Sequence, residues 1–141
     1  MKHQFFLVFI CLAFFSLGCE ENDKEQPSCD QYTIISDSEF KKASQDNVSI
    51  ADMKINGNCL NISFSASGCD GSSWIVKLID SGVTFYTHPP QRDLILSLEN
   101  KEACLAVIGK EISFDIESLQ VSGSQVKLNI INTGDEILYE Y

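Results

Sequence analysis

Apolar and polar residues alternate with a period of two along most of this chain, the spacing that sends successive side chains to opposite faces of a strand. In LNISFSA the apolar face holds Leu60, Ile62, Phe64 and Ala66; in LILSLE it holds Leu94, Leu96 and Leu98; in EISFDI it holds Ile112, Phe114 and Ile116. WIVKLID, from Trp74 to Asp80, is apolar on both faces and predicts a central strand, while CLAVI, from Cys104 to Ile108, reads as a buried one. VSIADMKI, VTFYT, QVKLNI and EILYEY complete the set. Turn residues separate them. Asn56-Gly57 tolerates the positive φ of a tight hairpin, and Ser81-Gly82, Ser122-Gly123-Ser124 and Asn132-Thr133-Gly134-Asp135 mark further reversals. HPPQRD, His88 to Asp93, reads as a loop, because its two prolines offer no N–H to a ladder. About eight short strands at this spacing predict one all-β domain, an antiparallel β-sandwich that is immunoglobulin-like or related. One short helix is expected over Asp37 to Gln45, where Ser36 and Glu39 resemble a capping box. It should lie across one end of the sandwich.

The N-terminus breaks the pattern. MKHQ precedes FFLVFICLAFFSLG, an uncharged run from Phe5 to Gly18. The run is shorter than the roughly 20 residues a membrane-crossing helix needs, and it lacks the polar face of a core helix. With Lys2 and His3 ahead of it, it reads as the apolar region of a signal peptide. Ser16-Leu17-Gly18-Cys19 then resembles a bacterial lipobox, in which a peptidase cuts before a cysteine whose thiol carries diacylglycerol. The leucine stands two positions before the cysteine, where the commonest pattern has it three before. The resemblance implies lipidation of Cys19, and two or more acyl chains anchor stably because each buried methylene contributes about 0.8 kcal/mol. EENDKEQPS, Glu20 to Ser28, holds too little apolar surface to order itself and reads as a flexible tether. Its acidic start resembles the export signals of Bacteroidota-type lipoproteins carried to the outer face of the outer membrane. The expected division is a signal peptide over 1–18, a tether over 19–28 and a sandwich domain over 29–141. The expected address is the cell envelope.

Charge and cysteines agree with that address. A formal net charge of -10 argues against nucleic acid as a partner, since such binding rests on Lys and Arg neutralising phosphates. The same acidity repels anionic head groups, so the lipid must supply the anchoring. With Cys11 in the signal and Cys19 lipidated, Cys29, Cys59, Cys69 and Cys104 remain, and in an oxidising compartment they predict two disulfides. Zinc is the rival use of four thiols, but no Cys-x-x-Cys pair exists and the spacings are long, so no metal is expected. A strand between Cys59 and Cys69 carries the chain roughly 20 Å, beyond the reach of about 7 Å that a bridge allows. Pairing of Cys29 with Cys59 and Cys69 with Cys104 is preferred, with 29 to 69 and 59 to 104 second.

The domain resembles small lipoprotein β-sandwich domains of Bacteroidota-type bacteria in SGCDGSSW, NKEACLA and EISFDIESL. That resemblance implies fold and address and no activity.

Candidate chemistry is sparse. SGCDGSSW, Ser67 to Trp74, gathers glycines and hydroxyls around Cys69 and offers Asp70, Ser72 and Trp74 as a binding loop. The competing and favoured reading is a tight turn stapled at Cys69, with Trp74 opening the next strand. Calcium fails on the number of carboxylates. A Ser-His-Asp hydrolase would have to use His88, yet no Gly-x-Ser-x-Gly elbow is present. Glycan binding could draw on Phe85, Tyr86, Tyr139 and Tyr141 beside Gln91, Arg92 and Asp93. The sequence therefore predicts no catalytic residue and no cofactor. It leads to a lipid-anchored, non-catalytic binding or structural module of unknown ligand, with His88, Gln91, Arg92 and Asp93 as the first candidate ligand loop. A glycan- or peptide-binding module, including a protease inhibitor, comes second and a hydrolase last.

Overall fold

The computed structural model describes residues 28–44 and 48–141; the signal peptide, Cys19 and the tether up to residue 27 lie outside the described residues. The elements in chain order are β1 (Gln31–Tyr32), β2 (Ile34–Ile35), α1 (Asp37–Lys42), β3 (Ser49–Asn56), β4 (Cys59–Gly68), β5 (Ile75–Phe85), β6 (Gln91–Glu99), β7 (Ala106–Asp115), a 3-10 turn (Glu117–Leu119), β8 (Gln125–Ile130) and β9 (Asp135–Glu140). They form two sheets, ordered β1-β7-β4-β3 and β2-β5-β6-β8-β9. The all-β sandwich is therefore what the chain builds. Hairpins supply the antiparallel pairs β3 with β4, β5 with β6 and β8 with β9, and β4 also pairs antiparallel with β7, while β1 with β7, β2 with β5 and β6 with β8 run parallel. The two N-terminal strands explain two of these: Gln31 and Tyr32 edge one sheet, and after Thr33 the chain crosses to edge the other.

The core lies between the sheets, where period-two alternation delivers one face of each long strand. Leu60, Ile62 and Phe64 from β4 meet Leu78 from β5, Leu94 and Leu96 from β6, Phe114 from β7 and Leu128 from β8, all essentially closed to solvent. Each such side chain contributes about 1.5–3 kcal/mol relative to an exposed one. Tyr139 is fully buried too, its hydroxyl donating to Asn58 Oδ1 at 2.7 Å and accepting from Gln120 Nε2 at 2.8 Å.

Four expectations need correction. Ser81-Gly82 is not a turn: β5 runs on through it to Phe85, with a bulge between Asp80 and Thr84 that Gly82, at φ +77°, allows. CLAVI is not buried. It lies at the open end of β7, with Leu105 90% and Val107 75% exposed, and it continues unbroken into EISFDI. The helix does not cap an end of the sandwich; α1 packs on β5, its residues Ser38, Glu39 and Ala43 lining a recess with Lys77 and Ile79. That cover explains why WIVKLID is apolar on both faces. Finally, Gln91, Arg92 and Asp93 are strand, not loop. Prolines lack a donor but keep an acceptor, and the Pro90 carbonyl takes the Lys127 N–H at 2.8 Å, so β6 begins directly behind it.

The disulfides join Cys29 to Cys59, with Cα atoms 5.5 Å apart, and Cys69 to Cys104, at 4.8 Å. Alternation from Leu60 places Cys59 on the outer face of the four-stranded sheet, where Cys29 covers it. Beside this bridge the Asp30 carboxylate accepts from Ser113 N at 2.8 Å and Ser113 Oγ at 2.7 Å. The second bridge lies at the other end of β4 and β7.

Candidate functional site

The first candidate loop divides in two. Thr87 and His88 are exposed and Pro89 and Pro90 half-buried, turning the chain between β5 and β6. Beyond them Arg92 is buried on the core face. Its guanidinium grips Asp80 in a two-point pair, Nε to Oδ2 at 2.9 Å and Nη2 to Oδ1 at 2.7 Å, and reaches Thr84 Oγ1 at 2.9 Å. Asp80 is completely closed to solvent, and its Oδ1 also accepts the Gly82 N–H at 2.7 Å. The pair therefore fastens the bulge of β5 to the start of β6. Arg92 is structural, not a polar loop tip beside Asp93. Gln91 and Asp93 face the other way, both accepting from Asn129 Nδ2, at 3.2 and 2.9 Å. Among the described residues no hydrogen bond or ion pair links His88 to a carboxylate.

The second candidate loop closes on a partner from its own chain. Glu102 Oε2 accepts from the N–H groups of Cys69 at 2.6 Å, Asp70 at 3.3 Å and Gly71 at 3.1 Å. Its Oε1 accepts from Ser73 Oγ at 2.8 Å and Ser73 N at 3.4 Å. Successive N–H groups pointing inward make an anion-binding concavity, and here the anion is a side chain. Burial pushes the Glu102 carboxyl upward, but the N–H groups of Cys69 and Gly71, then Ser73, outweigh it and hold the carboxyl at about 2. Gly68 is required by proximity, because a Cβ there would stand 2.6 Å from Glu102 Oε2 and 2.8 Å from Trp74 Cζ2. Asp70 Oδ1 accepts the Ser72 N–H at 2.8 Å, a local turn. Trp74 packs against the core beside Phe64, ring centroids 6.2 Å apart, with Lys110 Nζ 5.3 Å above it and donating to the Gly71 carbonyl.

Sequence reasoning missed Glu102, Lys110 and Asp80. For Glu102 a signal existed: a loop with two glycines and free N–H groups calls for an anion, and NKEACLA supplies one next to the cysteine that bridges to Cys69. Asp80 gave none, since a terminal strand aspartate is indistinguishable from an exposed one. Among the aromatics, Tyr139 is core and Tyr141 exchanges hydrogen bonds with the backbone of Val121, its hydroxyl donating to the carbonyl and accepting from N at 2.9 Å. Phe85 and Tyr86 are different, 45% and 89% exposed at the end of β5. A shallow groove on the outer face of the other sheet is lined by Asp52, Lys54, Asn61, Ser63 and Glu111, with Lys54 paired to Asp52 at 2.7 Å. Among the described residues no group of three or more His, Cys, Asp or Glu side chains converges to hold a metal ion.

The sandwich is shared with solved proteins. It is similar to a NigD-like immunity protein from Bacteroides caccae, with a TM-score of 0.59 and 11% identity over 80% of this chain and 60% of that one. It is also similar to a putative toxin-related protein from Parabacteroides distasonis, with a TM-score of 0.51 and 16% identity over 77% of this chain and 60% of that one. This chain thus spans about 60% of the length of either. Identities of this size show a common fold. No protein-family model and no curated protein matches the chain.

Proposed function

We propose that this chain is a lipid-anchored, non-catalytic module of the bacterial outer membrane, held by Cys19 and presenting its sandwich to a protein or glycan ligand. The pairing of all four domain cysteines carries this reading, because disulfides persist in oxidising compartments and are rare in the cytosol. The lipobox-like SLGC and the acidic tether supply the rest. The groups that would serve chemistry are engaged internally: Arg92 by Asp80, and the N–H groups of SGCDGSSW by Glu102. In the test, Cys19→Ser is expressed in a host with lipoprotein processing. Wild-type protein should partition into detergent and carry acyl chains by mass spectrometry, while the variant is either soluble or unprocessed and carries none, with the fold unchanged. An unmodified Cys19 in the mature wild-type protein sinks the proposal.

The choice between ligands turns on Phe85 and Tyr86. Exposed aromatic rings stack on sugar faces and also anchor protein partners. The description of the Bacteroides caccae protein as an immunity protein adds weight to a protein partner. A glycan array and a protein pull-down with wild-type and Phe85→Ser/Tyr86→Ser protein would separate the two. Binding unaffected by the double substitution would remove this surface from consideration.

A further inference from the structure

Each sheet has two edges, and most are guarded. β3 is broken by the bulge between Ile50 and Asp52 and displays the Asp52–Lys54 pair. β9 displays Asp135, Glu136 and Glu140, so a second copy laid against it would bring carboxylate to carboxylate. β5 is covered at Ile79 and Asp80 by β2, packed by α1 and bulged beyond Asp80. Bulges, charges and covering elements are the means by which sheets avoid edge-to-edge pairing.

β7 lacks them. β1 covers it only at Phe114 and Asp115, and the Asp30 carboxylate caps the next N–H, that of Ser113. Among the described residues no strand pairs with residues 106–112 on that side. The register with β4 is unbroken; Ile116 N–H points to Asn58 at the head of β4, while Ser113 N–H and the Asp115 carbonyl point away from it. By the two-residue repeat, the backbone groups of Val107, Gly109 and Glu111 face the open edge. Val107 is 75% exposed, and Lys110 is turned inward onto Trp74 and Gly71, so its charge does not guard the edge. Gly109 sits in mid-strand although a Cβ there would meet nothing within 4 Å. Among the described residues nothing requires that glycine.

We propose that β7 pairs antiparallel with β7 of a second copy of this chain, about a two-fold axis at Gly109. In that register Val107 lies opposite Glu111 of the other copy, Ile108 opposite Lys110, and Ala106 opposite Ile112, so no like charges meet. The net charge of -10 opposes association at the acidic surfaces, whereas the paired stretch holds one cation and one anion. At the axis residue 109 faces its own copy, and a glycine there sets no identical side chains against each other. The contact is isologous and joins the two four-stranded sheets into one.

Sedimentation velocity on residues 19–141 carrying Cys19→Ser, so that neither lipid nor the apolar run before it drives association, should show a monomer–dimer equilibrium that shifts with concentration. Gly109→Pro removes an N–H that faces away from β4 and should weaken the dimer by about tenfold or more while the melting temperature holds. Val107→Glu, which sets a carboxylate opposite Glu111 of the other copy at an exposed position, should do the same. A monomer at every concentration up to about 1 mM, or a dimer that neither folded variant weakens, overturns the proposal. Should Gly109→Pro fail to fold, Val107→Glu decides alone.

Discussion

Arg92 and Asp80 show how much a single pair of residues can redirect a strand. Breaking a buried ion pair by removing one partner leaves the other charge stranded, which costs about 3–5 kcal/mol. Arg92→Ala should therefore lower stability by that order in chemical denaturation, whereas Asp93→Ala, which loses one hydrogen bond from Asn129, should cost only about 1 kcal/mol. Equal effects would show that the pair does not fasten the bulge. Glu102 makes a second residue-scale prediction. Its carboxyl is held at about 2 against an ordinary 4.5, so the stabilisation it provides is complete above the unfolded value and fades as pH falls from about 5 toward 2. Melting curves of wild-type and Glu102→Gln protein should differ most near neutrality and converge toward pH 2. A gap that is constant across that range would show that the carboxylate charge is not what the loop binds. Glu102 was signalled by the glycine-containing loop that calls for an anion, whereas Arg92 and Asp80 did not announce their role in the sequence. The period-two pattern fixes which face a side chain takes, and a charged residue on the inner face is visible only once its partner is.

At the scale of elements, alternation served well where strands are half-buried and poorly where their surroundings change along their length. LNISFSA and LILSLE were legible because one face meets the core throughout. CLAVI was not, because an apolar run on an open edge has the same composition as one in a core. HPPQRD misled for a different reason: prolines were counted as lost donors, and the acceptor that Pro90 retains was not. The helix start was legible, with Ser36 Oγ accepting the Glu39 N–H at 3.3 Å, but its resting place on β5 depended on Ile79, an apolar residue on the far face. The bridge between Cys69 and Cys104 ties two loops that share Glu102. It closes a separation of 35 residues, for which chain entropy gives roughly 3–4 kcal/mol. Reduction should lower the melting temperature markedly and raise hydrogen exchange first at the N–H groups of Cys69, Asp70 and Gly71. Protection that survives reduction there would mean that Glu102 alone holds the loop.

For the whole molecule, two-layer architecture followed from strand count and turn spacing, while the parallel pairings of β1 and β2 did not, since two-residue strands leave no periodic trace, and that of β6 with β8 did not, since alternation is the same in either strand direction. Their placement depends on Cys29, which sits over Cys59 before the chain reaches either sheet. That bridge has a mechanical consequence. Tension drawn along the N-terminal chain arrives at Cys29 and crosses the sulfur–sulfur link directly to Cys59, at the head of an interior strand. The loop between them, which includes β1, β2, α1 and β3, is then spared the load, so short strands that hold by only a few hydrogen bonds are not peeled from their sheets when the domain is pulled by that chain.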